Sequence, residues 1–413
     1  MEIECQTLRP IKHNPPSYKQ GIGLYVHIPF CQTKCSYCDF NTYERIEDQI
    51  PNYVSALKNE IKAWSDLLSQ PVVHTIFLGG GTPSYLPVDD IKHILSTIHS
   101  NYKVQDSAEI TMECNPGDIT LEQASGWSDA KVNRVSMGVQ SFNDGLLALL
   151  GRRHTANEAK QAFHTLRKVG FKNQSLDLIY GLPHQSASQW SHTLDEAIEL
   201  GSDHISLYSL QIEEGTPLAV DVKKGRYPIP DDDLAAEMYE EAQRKLTANG
   251  FSQYEISNWA KPGMESQHNT IYWLNEPYLG VGAGAHSWLE GQRFFNLKSP
   301  TRYVTAMDNN YKEINQGSIA TMQEPFGPVA QIDVTTAAID MGETMMMGMR
   351  LNEGVSHKRF EKRFGTALNK IFSKELDRLV ALDLVEITDK SVRLSDKGRL
   401  LGNEVFAEFI SEQ

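Results

Sequence analysis

No run of about 18 apolar residues occurs in this sequence, so nothing in it reads as a membrane-spanning helix. Positive charge is in short supply. Lys and Arg number 39 against 53 Asp and Glu, a formal net charge of −14 over 413 residues. No basic block offsets that balance. Nucleic acid is therefore not an expected partner, because phosphate binding needs clustered Lys and Arg. The opening stretch, MEIECQTLRPIKHNPP, lacks an apolar core and does not read as a secretory signal. Cysteine is scarce too: there are five, and three of them fall between Cys31 and Cys38. The expected location is cytoplasmic. Thiols stay reduced there, so clustered cysteines point to metal rather than to disulfides. Internal repeats and low-complexity tracts are absent. The length predicts two or three domains, or one large barrel with an appendage.

What is present is an alternation of short β-rich runs with longer amphipathic stretches. Strands are predicted at Gly23–Ile28, His74–Gly80, Glu109–Cys114, Arg134–Val139, Ser175–Gly181 and His204–Leu210. Between the first two, Val54, Leu57, Ile61, Trp64 and Leu68 share one helical face. Further helices are predicted after LPVDD and over Ala156–Val169 and Ser188–Leu200. Six such units predict a parallel sheet, as an open or partial barrel, with ligands at the C-terminal strand ends. Pro228-Ile229-Pro230 marks a boundary, after which Asp231–Asp233 cap a helix running to Gly250. The chain from Tyr254 to about Phe295 is rich in aromatics and Gly, and from about Ala337 the pattern becomes helical. Its closing LVEITDKSVRLSDKG predicts a β-hairpin after helices, as in a winged helix; the near-balanced charge there favours packing or a lid over DNA binding. The expected divisions are an arm over 1–22, the barrel over 23–230, a connecting segment over 231–335 and the C-terminal unit over 336–413.

The chemistry concentrates in Tyr25-Val-His-Ile-Pro-Phe-Cys31-Gln-Thr-Lys-Cys35-Ser-Tyr-Cys38-Asp-Phe40. Three thiolates on one loop can hold three irons of a [4Fe–4S] cubane, whereas full protein ligation needs four. The open iron can chelate the amino and carboxylate groups of S-adenosylmethionine, and one electron can then cleave the sulfonium. The other reading is a zinc site completed by Cys114, His27 or Asp39. Zinc sites usually pair two such cysteine motifs, and a distant second pair is missing. Cys5 and Cys114 read as ordinary thiols.

CxxxCxxC after a first strand resembles the radical S-adenosylmethionine superfamily, over most of the chain. The resemblance implies a partial (β/α)6 barrel with a C-terminal winged-helix-like domain. It implies that Gly80, Gly81 and Thr82, in LGGGTP, approach the amino group of S-adenosylmethionine. It also implies that Tyr25, Tyr37, Glu113, Gln140, Arg152 and Asp177 line the rest of that cosubstrate. YVHIPFC, GGGTP, GVQSF and DLIYGLP narrow the likeness to the oxygen-independent coproporphyrinogen III oxidases and their relatives.

Two branches divide there. The oxidases carry a further Cys two residues after the third ligand, where this chain has Phe40, and have a longer N-terminal extension. Both departures resemble the HemW branch of heme chaperones. Gln267-His268-Asn269-Thr270-Ile271-Tyr272-Trp273 matches that branch's HNxxYW motif. The likeness implies heme as ligand, His268 on its iron and Tyr272 and Trp273 against the ring. By its residues alone the segment also reads as a packed loop with a hydrogen-bonded histidine. Expected partners are heme and apo-cytochromes of the respiratory chain; a homodimer and peripheral membrane contact are compatible with the reading. The alternative function is coproporphyrinogen oxidation to protoporphyrinogen IX, an activity expected to be absent. Gly280-Val-Gly282-Ala-Gly284 reads as a tight turn, and Met345-Met346-Met347 with Met349 as core filling.

Overall fold

The computed structural model describes residues 13–310 and 324–410; Cys5 lies outside them. Six strands form its centre: β1 (Ile22–Ile28), β2 (Val72–Gly80), β3 (Lys103–Cys114), β4 (Arg134–Gln140), β5 (Asn173–Tyr180) and β6 (His204–Ser209). They lie side by side in that order, each neighbour pair parallel. Helices α1 (Ile50–Leu67), α2 (Val88–Asn101), α3 (Leu121–Asp129), α4 (Ala156–Val169) and α5 (Ala187–Glu199) alternate with them. The predicted apolar stripe of α1 is all buried, Trp64 and Leu57 completely. Thr120, Thr155 and Ser186 each close a capping box with the Gln or Glu three residues on, which fixes where α3, α4 and α5 begin. This is the α/β partial barrel expected from the strand–helix alternation.

The segment after the barrel adds to both edges of the same sheet. β7 (Ser252–Glu255) and β8 (Asn258–Ala260) follow β6, with β8 antiparallel to it. At the other edge β9 (Tyr278–Val281) pairs parallel with β1. β10 (His286–Leu289), β11 (Gln292–Asn296) and β12 (Val329–Val334) continue antiparallel beyond it. Helix α6 (Asp232–Ala248) packs by Met238, Tyr239, Ala242 and Leu246. Helix α7 (Gln267–Trp273) closes the floor. Gly23, Thr75 and Glu109 stand in register on β1, β2 and β3, Glu109 midway along its longer strand. Glu109 accepts the backbone N–H groups of Gln267 and His268 there, an acidic cap for a helix N-terminus.

The C-terminal unit has its own core around Met341, Met345, Met349, Phe360, Phe364 and Val392. Core filling is what Met345 and Met349 do, with Met346 packed partly against them, while Met347 on helix α8 (Ala337–Gly348) stays outside that core. A three-stranded antiparallel sheet, β13 (Val355–Ser356), β14 (Val385–Ile387) and β15 (Ser391–Leu394), carries the predicted hairpin. Among the described residues no helix is long and apolar enough to cross a membrane.

One buried carboxylate joins the barrel to its extension. Glu60 on α1 is fully buried and accepts from Gly282 N at 2.7 Å, Asn296 Nδ2 at 2.7 Å, Tyr303 Oη at 2.6 Å and Trp64 Nε1 at 3.3 Å. Beside it, Tyr53 Oη donates to the His27 carbonyl and accepts from Ala283 N. The Gly-rich turn is thereby tied to the end of β1. Gly282 has φ +100°, and a Cβ there would sit 2.6 Å from the His27 carbonyl oxygen, so this is the tight turn its glycines suggested. Glu60→Ala should destabilise the cluster-free protein by about 3 kcal/mol or more in urea unfolding, because it orphans several buried donors at once. A loss below about 1 kcal/mol would show that the hub does not hold the two parts together.

Candidate functional site at the barrel mouth

The cysteine loop starts where β1 ends and is pinched shut at its base. Phe30–Cys31 pairs with Tyr43–Glu44 as a two-residue ladder, and Tyr43 N donates to Pro29 O. Inside the loop Lys34 Nζ donates to the Phe40 and Thr42 carbonyls, and Ser36 N to Leu150 O. Asn41 Nδ2 reaches Ala283 O and Lys298 O, while His27 Nε2 bonds the Asn41 carbonyl. The loop is thus fastened to β1, to the Gly-rich turn and to the segment after β4.

A cavity of about 430 Å³ opens between this loop and the C-terminal strand ends. Cys31, Cys35, Cys38 and Tyr37 line one side of it; Gly80, Gly81, Thr82, Glu113, Gln140, Arg152 and Asp177 line the other. The predicted cosubstrate residues are thus brought together from β2, β3, β4 and β5 and the loop beyond β4. Tyr25 lies apart from the cavity wall. Its hydroxyl pairs with His27 Nδ1 at 3.0 Å and its ring stacks on Phe77. Gln140 takes a left-handed φ of +67°, a backbone turn rarely adopted without glycine or Asn, at the end of β4.

Charge in the cavity is organised around few groups. Arg152 Nη1 donates to Cys35 Sγ at 3.3 Å and Thr82 Oγ1 to Cys31 Sγ at 3.4 Å. Burial pushes the Cys31 and Cys38 thiols up, so thiolates there need a cation beside them. Glu113 Oε2 accepts from Gly80 N at 3.0 Å. Burial, then the neighbouring Asp177, pushes its carboxyl up to about 7. Burial also raises Asp177, against hydrogen bonds from Ser206 and from Ser136, whose single hydroxyl lies 3.0 and 3.1 Å from the two carboxylate oxygens. Sequence patterning does not single out Ser136; its one signal is a small polar residue on β4 next to the predicted carboxylate strand.

The donor set fits a cluster better than one metal ion. Among the described residues no three His, Cys, Asp or Glu side chains group closely enough to hold a single ion. A cubane takes one thiolate per iron at separate corners. His27 spends both ring nitrogens on Tyr25 and Asn41. Phe40, 67% exposed, stands on the rim of the cavity and brings no ligand.

His268, Tyr272 and Trp273 lie at the opposite end, on α7. His268 is fully buried, with Nδ1 2.7 Å from Thr75 Oγ1 and Nε2 2.8 Å from Tyr272 Oη. Its ring stacks on Phe77 at 5.2 Å, and burial lowers its pKa to about 3, so the imidazole is neutral. The structure has this histidine as the residues alone also read it, packed and hydrogen-bonded: both nitrogens are engaged and the ring is shut off from solvent. Trp273 points elsewhere, with Arg350 over its ring at 5.1 Å and no partner on its buried indole N–H. His286 is exposed and stacks on Phe295.

Two outcomes test this site. Anaerobic reconstitution should give about four irons and four sulfides per chain. Cys31→Ala, Cys35→Ala and Cys38→Ala should each abolish that, and Cys114→Ala should not; a full complement in Cys35→Ala would refute the ligand set. The second outcome follows from Glu113. A carboxyl raised from 4.5 to about 7 costs nothing below its unfolded value, costs progressively more as pH rises through that interval, and costs in full above it. Glu113→Gln should therefore stabilise the cluster-free protein at pH 8, by up to about 3 kcal/mol, and hardly at pH 4. Equal stability of the two proteins at pH 8 would contradict a buried, like-charged pair.

Comparison with known proteins gives the same outline. Residues 25–197 match the Radical SAM superfamily model and residues 337–401 the HemN C-terminal domain model. "Heme chaperone HemW" of Bacillus subtilis (strain 168) is 38% identical over 94% of this chain and 99% of its own length. The Lactococcus lactis protein of the same name is 35% identical over 94% and 97%. The "Radical S-adenosyl methionine domain-containing protein 1, mitochondrial" of Danio rerio is 33% identical over 96% and 88%. In fold, the chain is similar to coproporphyrinogen III oxidase (HemN) from Escherichia coli, at a TM-score of 0.77 and 24% identity over 96% and 90% of the two chains. The barrel, the cysteine loop and these relatives agree: the chain belongs to the radical S-adenosylmethionine superfamily and, within it, to the family of the HemW heme chaperones.

Proposed function

We infer that this chain binds heme and passes it to apo-cytochromes of the respiratory chain, using a cluster on Cys31, Cys35 and Cys38 and S-adenosylmethionine at the barrel mouth. The observation that carries the reading is Phe40. The mouth has the thiolates and polar groups a radical enzyme of this family would use, yet an exposed phenyl ring stands where the oxidases carry a further Cys. A bound cluster supplies an open iron and one electron to the cosubstrate. The chain's own residues do the rest. Gly80 and Gly81 expose backbone to the amino group, Glu113 and Asp177 present carboxylates, and Arg152 shields the thiolate of Cys35.

His268 is the proposed iron ligand in an opened state. Reaching iron requires α7 to leave the floor and give up two hydrogen bonds to Glu109, one to Thr75 and one within Tyr272–His268. At roughly 1 kcal/mol net per bond that is about 4 kcal/mol, which heme binding must exceed. A resting protein that hides its ligand does not bind iron at random.

The test is to add heme and coproporphyrinogen III separately to the reconstituted protein. Saturable heme binding and no protoporphyrinogen are expected. Many turnovers of decarboxylation would make the chain an oxidase instead. His268→Ala should alter the Soret band and weaken heme binding while keeping iron and sulfide content; an unchanged band and affinity would move the ligand elsewhere, with exposed His286 next to be replaced.

A further inference from the structure

The mouth cavity, at about 430 Å³, already has to take the cluster and its cosubstrate. A macrocycle needs another place. Beneath the barrel floor a cleft of about 890 Å³ separates the sheet from the C-terminal unit, within the range that holds cofactor-sized ligands. Its apolar wall includes Trp273, the last residue of the motif helix α7, with Leu274, Val355 and Phe360. Cations outnumber acids in its lining, five Lys and Arg side chains against the carboxylates of Glu276, Glu353 and Asp389. The helix His357–Phe364 reads HKRFEKRF, four positive side chains to one negative in a chain of net charge −14. Lys362 from that helix and Lys390 from the β14–β15 turn both line the cleft, and neither has an ion-pair partner among the described residues. Arg359 lines it too, tied to Glu276 on the floor side.

We propose that this cleft is the docking site for the tetrapyrrole, with the ring's face against Trp273 and its two carboxylates on Lys362 and Lys390. A flat apolar ring with paired carboxylates matches one aromatic wall and two unpaired ammonium groups set on separate elements. A ligand there bridges barrel and C-terminal unit, and the winged unit supplies the anion contacts. Among the described residues lining the cleft there is no His, Met or Cys. The cleft therefore grips periphery and face and leaves the iron to α7, whose C-terminal residue already borders it. The proposal rests on the heme-binding reading above.

The experiment compares heme, iron-free protoporphyrin IX and protoporphyrin IX dimethyl ester as ligands of the full reconstituted chain. The wild type should bind the ester at least about tenfold more weakly than the free acid. K362E/K390E should lose at least about tenfold for heme and for the free acid, with ester affinity, iron content and melting temperature unchanged. The milder K362A/K390A should lose part of that, which covers a charge-reversed protein that folds poorly. Wild-type heme affinity in folded K362E/K390E, or an ester that binds the wild type as well as the acid, would overturn the cleft. If the wild type shows no saturable heme binding, the functional reading falls and the cleft with it; if heme binds but ignores Lys362 and Lys390, only the cleft falls.

Discussion

Three thiolates must be kept on one side of a cavity while the strands bring every other group to the opposite side. The arrangement of the mouth follows from that constraint. An eight-residue stretch with cysteines at its ends and near its middle has no secondary structure of its own to hold it. It is held by neighbours instead: the ladder at Phe30–Cys31, the Lys34 ammonium on its own carbonyls, and Asn41 on the Gly-rich turn. That turn is fixed in its place by Glu60 and Tyr53, so the geometry of the cysteines depends on a carboxylate buried on α1.

The parallel sheet gives the molecule two unlike ends. At the C-terminal ends of the strands lie polar groups with raised carboxyl and thiol pKa values, which is where such sheets place chemistry. At the N-terminal ends lies a sealed layer made by α7, Thr75 and Glu109. Tyr25, Phe77 and His268 stack in series between them, so the motif helix packs on the aromatic side chains of β1 and β2 and not on the cavity wall.

Much of this was legible in the sequence, for reasons that differ by element. The six central strands are short apolar runs punctuated by helices, and their predicted bounds fall within two residues of the structure except at the start of β3. There KVQDS is polar and exposed and gives no β signal until Glu109. The cysteine motif was readable from its spacing, whereas the strand-end polar residues were marked out by the resemblance to the superfamily and not by any local pattern. The extension was not. β9 pairs with β1 across about 250 residues of chain, and no local pattern encodes such a partner. His268 shows the limit of motif reading: the family likeness pointed to a ligand, but its burial is decided by Thr75, Phe77 and Glu109, from strands far away in sequence. The cleft depends on how two units pack, which composition does not carry.

The central claim is that cosubstrate and tetrapyrrole occupy opposite ends of one sheet. It is tested most directly by titrating S-adenosylmethionine into the reduced, reconstituted chain with and without saturating heme, following the cluster's electron paramagnetic resonance spectrum and the Soret band together. The account predicts that both ligands bind at once, with the cosubstrate-induced spectral change and its affinity the same to within a few-fold. Displacement of one ligand by the other would place both at the barrel mouth and contradict it.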